Sequence, residues 1–169
     1  MNPSLVGSEM CIRDRSHESH VVAANLDRAF LVVTVASPRT STGFMDRFLV
    51  TAEAYGIPTT LVLNKVDALN AEERQVADKL AKTYKSIGYD WLEVSAKSGE
   101  GIEGLEKALA QGIHVLSGHS GVGKSTLINR LIPGLNIKTA EVSDAHHKGR
   151  HTTTFAAVSY THLTLPTTD

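Results

Sequence analysis

GHSGVGKST, residues 118–126, fits the pattern G-x-x-x-x-G-K-[ST], with Gly118, Gly123, Lys124 and Ser125 in the fixed positions. The glycines permit a tight loop whose backbone N–H groups, from Gly118 through His119, Ser120, Gly121, Val122 and Gly123 to Thr126, can converge on phosphate oxygens. A helix predicted to open at Lys124 adds its positive end. In this chemistry the Lys124 ammonium neutralises the β- and γ-phosphates, and Ser125 offers its hydroxyl to Mg²⁺. The loop follows an apolar run, Ile113–Ser117, and precedes a helical pattern, TLINRLIPG (126–134), the strand-to-helix context the pattern requires. Nucleotide-binding domains of this kind open with such a loop, whereas here it lies far down the chain.

Working outward, three further β-branched, apolar runs read as buried strands: Ala29–Val35, Thr59–Asn64 and Trp91–Ser95. Helical patterns separate them. Residues 43–56 place Phe44, Phe48 and Ala52 on one face and stop at Gly56-Ile57-Pro58. Residues 70–88 begin with Asn70 and Glu73 at capping-box spacing and continue with Val76, Leu80 and Tyr84 at helical steps. A shorter helix is predicted over GLEKALAQ (104–111). This alternation predicts an α/β fold, a parallel sheet with right-handed crossovers and helices on both faces. Residues 139–154 show neither period and read as a surface loop of the kind that often carries function.

Two other motifs follow predicted strands. Asn64-Lys65-Val66-Asp67 resembles the guanine-specificity box of GTPases. The Asp67 carboxylate can accept both the N1–H and the 2-amino group of guanine, a donor pair adenine lacks. Ser95-Ala96-Lys97 resembles the last GTPase box, whose backbone N–H groups meet the guanine O6. In a parallel sheet, loops that follow strands share one edge, where ligands bind. The placement of three motifs at one edge carries more weight than any one of them. Gly99, Gly101 and Gly104 form a G-x-G-x-x-G, but Glu100 and Glu103 would put negative charge where a pyrophosphate must sit. We read these glycines as turn and helix-entry residues. His146, His147 and His151 on a polar loop read as solvated rather than as a metal site, and HHKGR as a wet surface.

The chain has 17 basic and 18 acidic side chains and a net charge of −1, which excludes a nucleic-acid-type basic tail or an acidic arm. No apolar run reaches the roughly 18 residues of a membrane span. The two ends read differently from the middle. Met10–Asp14 (MCIRD) and Val158–His162 (VSYTH) can be encoded by reverse-complementary DNA, a symmetry that belongs to nucleic acid and not to folding. Residues 1–15 and 158–169 are therefore expected to be foreign, adapter-like sequence flanking a domain at 16–157 that is an internal piece of a longer protein. Cys11, the one cysteine, falls in the first flank, so disulfides and thiolate metal sites are excluded from the domain.

Ordinary GTPases run phosphate loop, switch I, D-x-x-G box, NKxD, SAK; this chain runs NKxD, SAK, phosphate loop. With GHSGVGKSTLIN and GRHTTT (149–154), that order resembles the circularly permuted, ribosome small subunit-dependent GTPase A family. The resemblance implies a P-loop NTPase-type sheet, permuted and truncated, in a cytoplasmic monomer. It also implies GTP hydrolysis with Mg²⁺, GTP and GDP as ligands, and the small ribosomal subunit and its rRNA as partners, with no membrane. It makes residues 149–154 switch I, with Thr153, or alternatively Thr152, closing on Mg²⁺ beside Ser125. His151 would orient the attacking water, or only pack the switch, and Lys124 would complete the catalytic set. The family's preceding β-barrel and its following domain with structural zinc are not in this sequence. No D-x-x-G follows Thr154, so hydrolysis slower than in the parent is expected, with the phosphate-loop strand beside an unfilled position in the sheet. The alternatives are an inactive truncated nucleotide-binding fragment and a permuted GTPase acting on the large subunit.

Overall fold

A computed structural model describes residues 26–132 and a strand at 157–160. The expectations for Cys11, His146, His147, His151, Thr152 and Thr153 lie outside the described residues, as do residues 1–15 and 161–169. The elements are β1 (Arg28–Val33), α1 (Thr42–Ala54), β2 (Thr59–Leu63), a single 3₁₀ turn (Val66–Ala68), α2 (Ala71–Ser86), β3 (Asp90–Glu93), α3 (Ile102–Leu109), β4 (Ile113–Ser117), α4 (Lys124–Leu131) and β5 (Ala157–Tyr160). They form one sheet in the order β3-β2-β1-β4-β5. β1 pairs in parallel with both β2 and β4, and β2 with β3.

β1 shows why the chain takes this form. Its residues are buried on both faces, and they alternate between two cores. Phe30 and Val32 pack with Ile102, Leu105 and Leu109 of α3 and Leu127 and Ile128 of α4. Leu31 and Val33 pack with Met45 and Leu49 of α1 and Ala77, Ala81 and Tyr84 of α2. The sheet therefore carries two helices on each face, as the alternating pattern predicts.

Two helix faces differ from the sequence expectation. In α1 the fully buried positions are Met45, Leu49 and Ala52, while Phe44 and Phe48 are only partly buried at the flank. In α2 they are Ala77, Ala81 and Tyr84, and Val76 is 40% exposed. In α2 the two alanines on the buried line let the helix sit close to the sheet and leave Val76 beside the contact line. The expected unfilled position is also corrected: β5 lies antiparallel on β4, pairing Ile113 with Tyr160 and Val115 with Val158. This pairing satisfies backbone groups on the outer side of β4. β5 crosses the boundary expected after residue 157, since Val158, Ser159 and Tyr160 belong to it.

Candidate nucleotide site

The phosphate loop, the NKVD stretch and the SAK stretch follow β4, β2 and β3 at the same edge of the sheet. One side chain ties all three together. Asn64, 1% exposed, donates through Nδ2 to the Val122 carbonyl at 2.8 Å and accepts at Oδ1 from the Ala96 N–H at 3.1 Å. It thus spans from the phosphate loop to the SAK loop at the core of the edge. Gly123 passes so close to Asn64 that a Cβ there would collide with Nδ2. Gly118 has φ +147°, and a Cβ on it would meet the Val32 carbonyl of β1. These two glycines are required by crowding as well as by backbone freedom.

Asp67 sits in the 3₁₀ turn and accepts from Ser95 Oγ at 2.5 Å, while Ser95 Oγ accepts from the Ser98 N–H at 2.9 Å. Ser95 is fully buried, so its hydroxyl fixes the carboxylate from below and leaves the exposed Asp67 facing outward. Asn64, Lys65, Asp67, Ala68, Ala96, Lys97, Gly123 and Thr126 line a pocket of about 330 Å³. That volume lies within the range of pockets that hold small ligands, roughly 300–1,000 Å³. It brings residues of all three motifs to one concave surface.

Two lysines reach back over this edge. Lys65, with φ 68°, donates to the Ser37 carbonyl at 2.6 Å and the Gly121 carbonyl at 2.8 Å, clamping the β1–α1 loop to the phosphate loop. Burial lowers its pKa, and the Asp67 charge partly opposes that shift. Lys124 Nζ donates to the carbonyls of Gly118 at 2.6 Å and His119 at 2.7 Å, and burial lowers its pKa as well. The His119 ring lies against Phe44 of α1 with centroids 3.8 Å apart. Burial, then the charges of Lys124 and Arg47, hold His119 below the usual imidazole range. Ser125 stands half-buried in the first turn of α4, whose N-cap, Gly123, gives no side-chain cap. A helix start without a side-chain cap suits an anion, which the first-turn amides and the helix dipole favour.

The donor set fits a magnesium–nucleotide complex rather than a protein-only metal cage. No group of three or more His, Cys, Asp or Glu side chains that could hold a metal occurs among the described residues. A hydroxyl at a helix start beside an anion-binding loop suits a cation whose other ligands are phosphates and water. Three contributors had no sequence signal: the Ser37 carbonyl, the Phe44 ring and Arg130. Arg130 of α4 approaches the Lys97 carbonyl at 3.5 Å and packs over Gly99. Each acts through a long-range contact, which no local pattern announces. Gly101, from the discounted glycine motif, is the N-cap residue of α3, and Gly104 lies inside that helix.

Residues 7–163 match the RsgA GTPase family. The chain is 55% identical over 141 residues to Small ribosomal subunit biogenesis GTPase RsgA 2 of Bacteroides thetaiotaomicron, covering 83% of this chain and 46% of that protein. It is 52% identical over 141 residues to Small ribosomal subunit biogenesis GTPase RsgA of Porphyromonas gingivalis strain W83, covering 83% and 45%. The chain thus spans about half the length of these relatives. Among solved structures it is similar to YjeQ from Thermotoga maritima, with a TM-score of 0.65 and 42% identity over 70% of this chain and 42% of that one. It is also similar to YloQ, a circularly permuted GTPase, with a TM-score of 0.57 and 30% identity over 63% and 37%. The order of motifs, the sheet that gathers them at one edge and the family match over residues 7–163 agree, and the chain belongs to the RsgA GTPase family.

Proposed function

We propose that the chain carries the GTP-binding and GTP-hydrolysing domain of a cytoplasmic factor for late maturation of the small ribosomal subunit. The relatives named for small-subunit biogenesis support this reading. The observation that carries it is the Asn64 tie, which sets Asp67 and the phosphate loop around one pocket. Asp67 reads the guanine edge, Lys65 and the Ala96–Lys97 backbone border the base, and residues 118–126 hold the phosphates. Lys124 exchanges its two loop carbonyls for phosphate oxygens. Mg²⁺ fits against Ser125, with Thr153 of switch I as the proposed second contact; when bound, the ion supplies charge neutralisation at the β- and γ-phosphates. His151 is the proposed orienter of water. The native domain is proposed to be 16–157, with the following residues through Tyr160 completing its sheet as β5.

Exchange of the base tests the reading. Asp67→Asn replaces one acceptor with an amide donor, which matches the 2-carbonyl of xanthine and opposes the guanine 2-amino group. Sites built on such hydrogen bonds discriminate by up to about 10⁴–10⁵. The variant is expected to bind XTP over GTP in a competition titration, and retained GTP preference would remove Asp67 from base recognition.

A further inference from the structure

The phosphate loop is held unevenly along its length. Its second half is fixed by side chains from β2 and the turn after it: Asn64 holds the Val122 carbonyl at 2.8 Å, and Lys65 holds the Gly121 carbonyl at 2.8 Å. The Val122 side chain is itself fully buried. The first half is braced by Lys124, whose ammonium gathers the carbonyls of Gly118 and His119 at 2.6 and 2.7 Å. Gly118 is also confined by the Val32 carbonyl behind it. His119 is exposed, and one face of its ring is covered by Phe44 of α1, with centroids 3.8 Å apart and planes tilted by 35°.

Phe44 is a firm support. Its N–H donates to Ser41 Oγ at 3.3 Å in the cap of α1, the adjacent Met45 is fully buried, and its own ring packs at the flank of the core built on Leu31 and Val33. Nucleotide binding changes what else holds His119. On the proposed function Lys124 leaves the two carbonyls for phosphate oxygens, so that brace is lost just when the loop must keep its shape around the ligand. The ring contact needs no such exchange, because neither ring is among the phosphate donors. We propose that Phe44 is a positioning residue for the nucleotide phosphates, acting through the His119 ring to keep the Gly118–Ser120 backbone in place when Lys124 turns to the ligand. The inference rests on the proposed function and adds to it a determinant on α1, outside the three motifs. It leaves the base end untouched, since Asn64 and Ser95 hold the loops there. Burial, then the charges of Lys124 and Arg47, favour the neutral imidazole.

Affinities for GTP, GDP and guanosine are measured on the full chain by competition against a fluorescent GDP analogue. The parent is compared with Phe44→Ala, His119→Ala, the double variant and Phe44→Tyr. Aromatic pairs of this kind contribute about two- to tenfold to an equilibrium constant beyond the area they bury. Each single Ala variant is expected to weaken GTP and GDP by roughly that factor with guanosine unchanged. The double variant should lose no more than either alone, and Phe44→Tyr should bind as the parent does. His119→Ala carries the test where Phe44→Ala disturbs the core, because its side chain is exposed. In Phe44→Ala the His119 imidazole, followed by NMR, should titrate closer to its ordinary value. Parental GDP affinity in both single variants would overturn the proposal, as would additive losses in the double variant or an equal fall in GTP, GDP and guanosine. A parent that binds ADP as well as GDP would count against the proposed function, whereas a guanine-selective parent beside indifferent variants would count against Phe44 alone.

Discussion

Asn64 does more for this site than its place in a four-residue motif suggests. Sequence chemistry assigns base recognition to Asp67 by reasoning about guanine, but it gives no reason for a buried asparagine beside it. That reason is tertiary, since the two partners of Asn64, Val122 and Ala96, are distant in sequence. Asn64→Ala leaves a buried carbonyl and a buried N–H unpaired, at about 1–3 kcal/mol for each. Urea unfolding should therefore show a lowered midpoint together with weaker guanine-nucleotide binding; an unchanged midpoint would mean the tie is not structural. Lys124 adds a pH dependence. Burial lowers its pKa in the free protein, and bound phosphates would raise it. Affinity for GTP should hold below the free-state pKa and fall as pH rises through it, with protons taken up on binding in that window. In the unliganded protein the sign is opposite: the cost of burying the ammonium is present at lower pH and relieved as pH rises through the folded pKa. Calorimetry in two alkaline buffers of different ionisation enthalpy checks this, and equal heats would contradict it.

Among the elements, β4 and α2 were the most legible. Ile113–Ser117 is the strand expected, and the capping box of Asn70 and Glu73 is present in both directions, at 2.9 and 3.0 Å. The 3₁₀ turn at Val66–Ala68 was not foreseen, because its conformation follows from Lys65 being drawn back to two carbonyls. The buried faces of α1 and α2 were misjudged for a related reason: periodicity locates a stripe, but the size of the residues under it decides which edge meets the sheet. Gly118→Ala tests the β4–loop junction. The left-handed φ costs about 1–3 kcal/mol and the Val32 carbonyl stands where the new methyl must go. Gly104→Ala in α3 meets nothing within 4 Å and should stabilise by roughly 0.5–1 kcal/mol. Thermal melts of the pair should move in opposite directions, and a shared direction would refute the crowding argument.

At the scale of the molecule, the permutation was readable because motif order is a property of the chain while motif adjacency is a property of the sheet. What could not be read was β5, whose pairing with β4 depends on where the chain returns after α4 and has no periodic signal of its own. The placement of β1 has a consequence in time. Among the described residues this strand comes first, yet it is central in the sheet, and it pairs with β2 across a single helix but with β4 only after α1, α2 and α3 have been made. Chain closure favours the nearer pairing. The layer β1-β2-β3 should thus consolidate before β4 docks. In pulsed hydrogen exchange during refolding, amides of Leu61–Leu63 should gain protection ahead of those of Val115–Ser117, and simultaneous protection would refute the order. A chain that folds in this order assembles the loops after β2 and β3 before the loop after β4 arrives to close the edge against Asn64.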